Sequence, residues 1–180
     1  WMWPCRNAGE DARLYSAVQA CSDFAIELGI NIPTGKDSLS MTQQYNKPDG
    51  TSEKVISPGC VIISGGGEVT DIRKVVSPVV QLDRSTSLYY VDFSFCEMRL
   101  GGSALAQTLN KLGDSVPTVA NSEYFADAFE AVQKAIKEDL ILAGHDISAG
   151  GMLTTLLEMC FANTEGGLEI NVDGFKEADL

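Results

Sequence analysis

Apolar side chains recur at Leu14, Val18, Cys21, Ala25 and Leu28, a spacing that lines one side of a helix. Asn7 and Glu10 stand three apart before this run, as in a capping box, and Gly29 follows it. The pattern predicts an amphipathic helix over residues 8–28. A second stripe, Phe125, Phe129, Val132 and Ile136, predicts a helix over 121–137 capped by Asn121 or Ser122. A third, Leu153, Leu156, Leu157, Cys160 and Phe161, predicts one over 152–162 with those five residues on its buried side. Gly101 and Gly102 open a shorter helix that runs to Leu109.

Between the helices the period shortens to that of strands. Residues 30–33 and 38–43 read as extended, and residues 44–53 as the polar tip of a hairpin turning on Lys47, Pro48, Asp49 and Gly50. Val55, Ile56 and residues 60–63 are β-branched or apolar and predict buried strands. Gly65, Gly66 and Gly67 then break the pattern as a flexible turn. Tyr89, Val91, Phe93 and Phe95 alternate, as do Leu168, Ile170 and Val172, and residues 140–144 form an apolar run. Alternating strands with amphipathic helices predict an α/β (α+β) fold, with helices on one face of each sheet. Residues 81–87 are polar and aperiodic, which places a domain boundary there. The expected division is 1–83 and 84–180.

The totals narrow the chemistry. The 180 residues carry a net charge of −12, which disfavours a nucleic-acid or anionic-membrane surface. No apolar run is long enough to span a bilayer. Five cysteines without a CxxC spacing fit reduced thiols in a cytoplasmic protein. The single histidine, His145, disfavours zinc and two-histidine motifs.

Two stretches concentrate reactive groups. In the first, Gly35, Lys36 and Ser38 could meet a phosphate, or could form a polar turn before a strand. In the second, Asp146 and Ser148 lie between the apolar run 140–144 and the third helix. Asp146 is a hard oxygen ligand of the kind Mg²⁺ prefers, and a helix N-terminus favours phosphate. The same residues would also serve a plain strand-to-helix turn with Ser148 as N-cap.

Several stretches together carry a resemblance. They are Trp1-Met2-Trp3, residues 9–15, residues 32–41 with Gly35-Lys36-Asp37-Ser38, residues 100–106, and Gly144-His145-Asp146-Ile147-Ser148-Ala149-Gly150-Gly151. As a set they resemble the large form of phosphoribosylformylglycinamidine synthase, over nearly the whole chain. The resemblance implies parts of two aminoimidazole ribonucleotide synthetase-like domains: the end of a nucleotide-binding N-terminal domain, then the start of a C-terminal one. The chain would be an internal piece of a longer polypeptide that includes a glutaminase domain.

The implied reaction is ATP-dependent. Formylglycinamide ribonucleotide, ATP and glutamine give formylglycinamidine ribonucleotide, ADP, phosphate and glutamate. Asp146 matches a Mg²⁺ ligand, and Ser148 a nucleotide contact. Gly35, Lys36 and Ser38 lie in a phosphate-approaching segment, where Lys36 replaces a neutral residue of the short form of the enzyme. No catalytic residue matches, since the glutaminase triad and the upstream catalytic histidine fall outside these residues. The piece alone should therefore be inactive and should self-associate through uncovered apolar faces. Two alternatives stand beside a catalytic site: a structural half that holds an auxiliary nucleotide, and another ATP-binding member of the same superfamily.

Overall fold

A computed structural model describes residues 1–83 and 85–173. The chain divides into two compact units, Trp1–Glu68 and Val69–Leu180. Helices and an antiparallel hairpin together make it a mixed α/β protein. The polar linker at 81–87 lies inside the second unit. Residues just before it are tied there: the Val80 N–H donates to the Met159 carbonyl at 3.0 Å, and the Asn163 amide donates to the Val80 carbonyl at 3.2 Å.

In the first unit, α1 (Glu10–Glu27) follows the sequence stripe. Leu14, Cys21, Ala25 and Leu28 are half-buried, while Val18 is exposed. The start of the helix corrects the capping-box expectation. Gly9 occupies the cap with φ of 81°, a left-handed conformation open to a residue without Cβ, and no side chain caps the helix. Asn7 faces elsewhere. Its amide donates to the Pro4 carbonyl at 2.9 Å and to Thr42 Oγ1 at 3.2 Å, and its oxygen accepts from Lys54 Nζ at 2.5 Å.

The hairpin forms where the turn residues placed it. Strands β1 (Thr42–Asn46) and β2 (Ser52–Ile56) pair antiparallel, with Thr42 opposite Ile56 and Asn46 opposite Ser52. They run further into the polar stretch than expected, with the pairing continuing to Asn46 and Ser52 beside the turn. The first residues add pairing that the sequence reading missed. Met2 bridges both Ser38 and Cys60, and Pro4 bridges Ser40. Trp3 is thereby buried, with Arg13 stacked 5.7 Å from the centre of its ring.

The second unit holds α2 (Ala104–Thr108), α3 (Ser122–Lys137) and α4 (Gly151–Cys160). Ser103 caps α2 by accepting from the Ala106 N–H at 3.1 Å. Asn121 caps α3 by accepting from the Tyr124 N–H at 2.9 Å. Phe93 and Phe95 both reach α3, although the backbone between them bends and Phe95 has φ of 52° rather than the extended value that their alternation implies. Their rings stand 5.8 Å from Phe125 and 5.0 Å from Tyr124 of α3.

The remaining strand expectations are corrected. Residues 61–63, 88–95, 140–144 and 168–172 form no ladder. A strand takes its backbone hydrogen bonds as a continuous ladder with a neighbour about 4.8 Å away, and among the described residues the single bonds from the Gly144 N–H to Ser77 and from the Ala120 N–H to Ser94 do not extend into one. Val91, Leu142 and Val172 accordingly stay exposed. The buried side of α4 also differs. Thr155 and Met159 are buried, with Met152, Leu156 and Cys160 half-buried, whereas Leu153, Leu157 and Phe161 face outward. Hydrogen bonds accompany this face: the Met159 carbonyl accepts from the Val80 N–H, and the Thr155 hydroxyl reaches the turn before the helix.

Candidate nucleotide and metal site

The turn from His145 to Gly150 is held from three directions. Ahead of it, the Gly144 N–H donates to the Ser77 carbonyl at 3.1 Å, and a Cβ on Gly144 would come 3.2 Å from Val76 Cγ1. Beside it, the Ala104 N–H donates to the Ala149 carbonyl at 2.9 Å. This bond joins two of the stretches singled out in the sequence, residues 100–106 and the His145–Gly151 turn. Gly101, just before α2, packs instead on the Ser115 backbone, where a Cβ would sit 2.5 Å from the carbonyl oxygen. Behind it, Thr155 Oγ1 stands 3.2 Å from the Asp146 carbonyl oxygen and 3.3 Å from that of Gly151, and its one hydroxyl proton is shared between them.

α4 begins without a side-chain cap. Gly150 is the cap residue, and Ser148 contributes only its carbonyl, which accepts from the Gly151 N–H at 2.9 Å. Ser148 is therefore not the N-cap. Its hydroxyl makes no hydrogen bond with the described residues. Gly151 has φ of 76°, where a side chain would be strained. Small residues and an uncapped first turn leave helix N–H groups open to an anion.

The Asp146 side chain is 87% exposed. Its Oδ1 stands 3.2 Å from His145 Nδ1, and His145 Nε2 stands 2.8 Å from Glu158 Oε2. Mg²⁺ binds through one or two carboxylates, together with phosphate oxygens and waters. An exposed carboxylate beside an unengaged hydroxyl fits an ion that arrives with phosphate. Among the described residues, no three His, Cys, Asp or Glu side chains are grouped to hold a metal unaided.

Gly35, Lys36 and Ser38 lie in the first unit, and Asp146 and Ser148 in the second. Lys36 Nζ donates to the Asp37 carbonyl and reaches Ser38 Oγ at 3.4 Å. Ser38 is fixed by its backbone, which donates to Trp1 and accepts from Trp3, both at 2.8 Å. Gly35 has open space where a Cβ would stand. The segment thus presents a cation and a hydroxyl from a paired backbone.

Sequence reading missed Thr155 and Glu158. Both lie three apart on one side of α4, facing back to the turn. Polar residues on an amphipathic helix read as solvent-facing, so no sequence signal singled them out.

Comparison with known proteins agrees with the motif reading. Residues 1–67 match the FGAR-AT PurM N-like domain, and residues 94–179 match the C-terminal domain of AIR synthase related proteins. The two matches leave 68–93 between them, the interval that contains the polar linker. The chain is 39% identical, over 99% of its length, to a phosphoribosylformylglycinamidine synthase from Dictyostelium discoideum, and it spans 13% of that relative's length. In its domain order and along its whole length, the chain is thus similar to part of a phosphoribosylformylglycinamidine synthase.

Proposed function

We infer that this chain contributes a Mg²⁺-nucleotide site to an ATP-dependent carbon–nitrogen ligase of purine biosynthesis. The enzyme would be a cytoplasmic glutamine amidotransferase that converts formylglycinamide ribonucleotide to formylglycinamidine ribonucleotide. The change from nucleotide-binding domain to C-terminal domain falls within 68–93, where the 83/84 division lies. The observation that carries this reading is the Asp146–Ser148 turn. An exposed carboxylate and an unengaged hydroxyl stand together before the uncapped first turn of α4, in a chain similar along its whole length to a synthase of this name.

The roles follow from the geometry. Asp146 supplies a charged oxygen to the cation, and the Thr155 hydroxyl holds its backbone in place. Ser148 and the first N–H groups of α4 face the anionic ligand. Within the first unit, taken by itself, Lys36 and Ser38 present a cation and a hydroxyl of the kind that meets a phosphate. A divalent cation held by Asp146 would supply positive charge to neutralise nucleotide phosphates.

A nucleotide-binding comparison tests this. Mg²⁺-ADP should bind the wild-type protein, and Mg²⁺ and ADP should each bind far more weakly alone. Equal ADP affinity with and without Mg²⁺ would remove the metal from the site. Retention of nucleotide without turnover in an active synthase would favour the auxiliary reading over the catalytic one.

A further inference from the structure

His145 stands between two carboxylates. Its Nε2 lies 2.8 Å from Glu158 Oε2, while its Nδ1 points toward Asp146 Oδ1 at 3.2 Å. When Nε2–H donates to Glu158, Nδ1 is left with its lone pair directed to the Asp146 side. Two donors that share one ion about 2.1 Å away at a right angle stand about 3.0 Å apart. The observed separation is close to that bite.

Two contacts from α4 hold the imidazole and the Asp146 backbone. Glu158 fixes the imidazole, and Thr155 fixes the Asp146 backbone, both from the same side of α4. The imidazole is only 23% exposed, whereas the Asp146 carboxylate is open to solvent. A carboxylate that accepts from the far nitrogen of a histidine sets its tautomer and raises its basicity as a ligand.

We propose that His145 Nδ1 and Asp146 form a two-donor chelate for a divalent cation, with Glu158 as the positioning residue that sets the histidine tautomer. This deepens the Mg²⁺-nucleotide reading and rests on Asp146 being its ligand. An imidazole donor shifts preference toward softer ions, so Mn²⁺ should gain over Mg²⁺ beyond what the carboxylate alone would give.

The chain contains one histidine, so a metal–imidazole contact has a single assignment. Mn²⁺ is added with ADP, and nitrogen coupling to the bound ion is read by pulsed paramagnetic resonance. The wild type should show coupling from one imidazole, and His145→Asn should abolish it. Mn²⁺ affinity should fall about 10-fold or more in His145→Asn, with a smaller change for Mg²⁺. Glu158→Gln retains a hydrogen-bonding group yet should weaken Mn²⁺ binding by about 10-fold. Circular dichroism of each variant shows whether α4 is retained.

If Mn²⁺ binding depends on Asp146 but shows no imidazole coupling, and His145→Asn binds as tightly as wild type, the chelate is overturned while the Asp146 role stands. His145 would then be an ion-pair partner of the two carboxylates. If Asp146→Asn leaves Mn²⁺ affinity unchanged, the Asp146 reading fails and the chelate fails with it.

Discussion

Gly59 lies flat against the indole of Trp3: a Cβ at position 59 would sit 2.6 Å from three atoms of the ring. Trp3 is among the few buried residues of the first unit, and it is delivered there by backbone pairing of Met2 with Ser38 and Cys60. Gly59→Ala should therefore overpack the indole of Trp3, on which Arg13 of α1 stacks. The expected loss is about 1–3 kcal/mol, read from urea unfolding followed by Trp fluorescence. A change under about 0.5 kcal/mol, the range of ordinary surface substitutions, would mean that the ring moves aside freely.

The two asparagines that precede helices should behave differently. Asn121 accepts from the Tyr124 N–H and caps α3, so Asn121→Ala should cost about 1 kcal/mol of helix stability. Asn7 does not cap α1; it ties Pro4, Thr42 and Lys54 together. Asn7→Ala should loosen the hairpin and leave α1 in place. Amide exchange separates the two effects, with α1 protection unchanged in Asn7→Ala.

How far the sequence could be read follows from the same contrast. Helix periodicity depends on residues within a turn or two, so 8–28, 121–137 and 152–162 were located to within a few residues. Caps and faces depend on distant partners. Asn7 lost its cap role to Thr42 and Lys54, and α4 buries Thr155 because the Asp146 carbonyl meets it there. The strands at 61–63, 140–144 and 168–172 were legible as alternating or apolar runs, but a ladder needs a neighbour that the runs do not encode. At the candidate site, Asp146 and Ser148 stood out by motif. Glu158 did not, since a glutamate on a helix signals nothing until its partner is in view.

Acidification should act on the hairpin turn late. The Thr51 hydroxyl and then the Thr51 N–H hydrogen-bond Asp49, and they hold its carboxyl below the ordinary carboxylate range. A folded value below the unfolded one adds stability that is complete above the ordinary range and is lost as pH falls through the lowered value. Carbon-detected titration of Asp49 should give a midpoint below that of an unstructured aspartate. Thr51→Val, which removes the hydroxyl, should raise it. A midpoint unmoved by Thr51→Val would show that the hydroxyl does not set it.

Exposed apolar side chains should drive association. Ile72 and Tyr89 in the second unit and Ile62 and Tyr15 in the first are all more than two-thirds exposed. Surfaces of this kind bury themselves against another molecule. Light scattering at micromolar concentration should give a dimer or larger species, and a monomer would contradict the expectation.

Thr155→Val tests how the turn is held. Valine fills the same volume but removes the hydroxyl that donates to the Asp146 carbonyl. The expected cost is about 1–2 kcal/mol, with weaker Mg²⁺-ADP binding because Asp146 is no longer fixed from behind. Full nucleotide affinity at reduced stability would confine Thr155 to a packing role.

The central claim is that Asp146 meets a cation bound together with nucleotide. Asp146→Asn preserves size and removes the charge. Calorimetric titration with Mg²⁺-ADP, after bound nucleotide is stripped, should show affinity reduced by about 10- to 100-fold, or about 1.4–3 kcal/mol. Ser148→Ala should cost less, about 0.5–1.5 kcal/mol for one hydrogen bond. If Asp146 only began a helix, asparagine would serve nearly as well. Unchanged Mg²⁺-ADP affinity in Asp146→Asn would contradict the account.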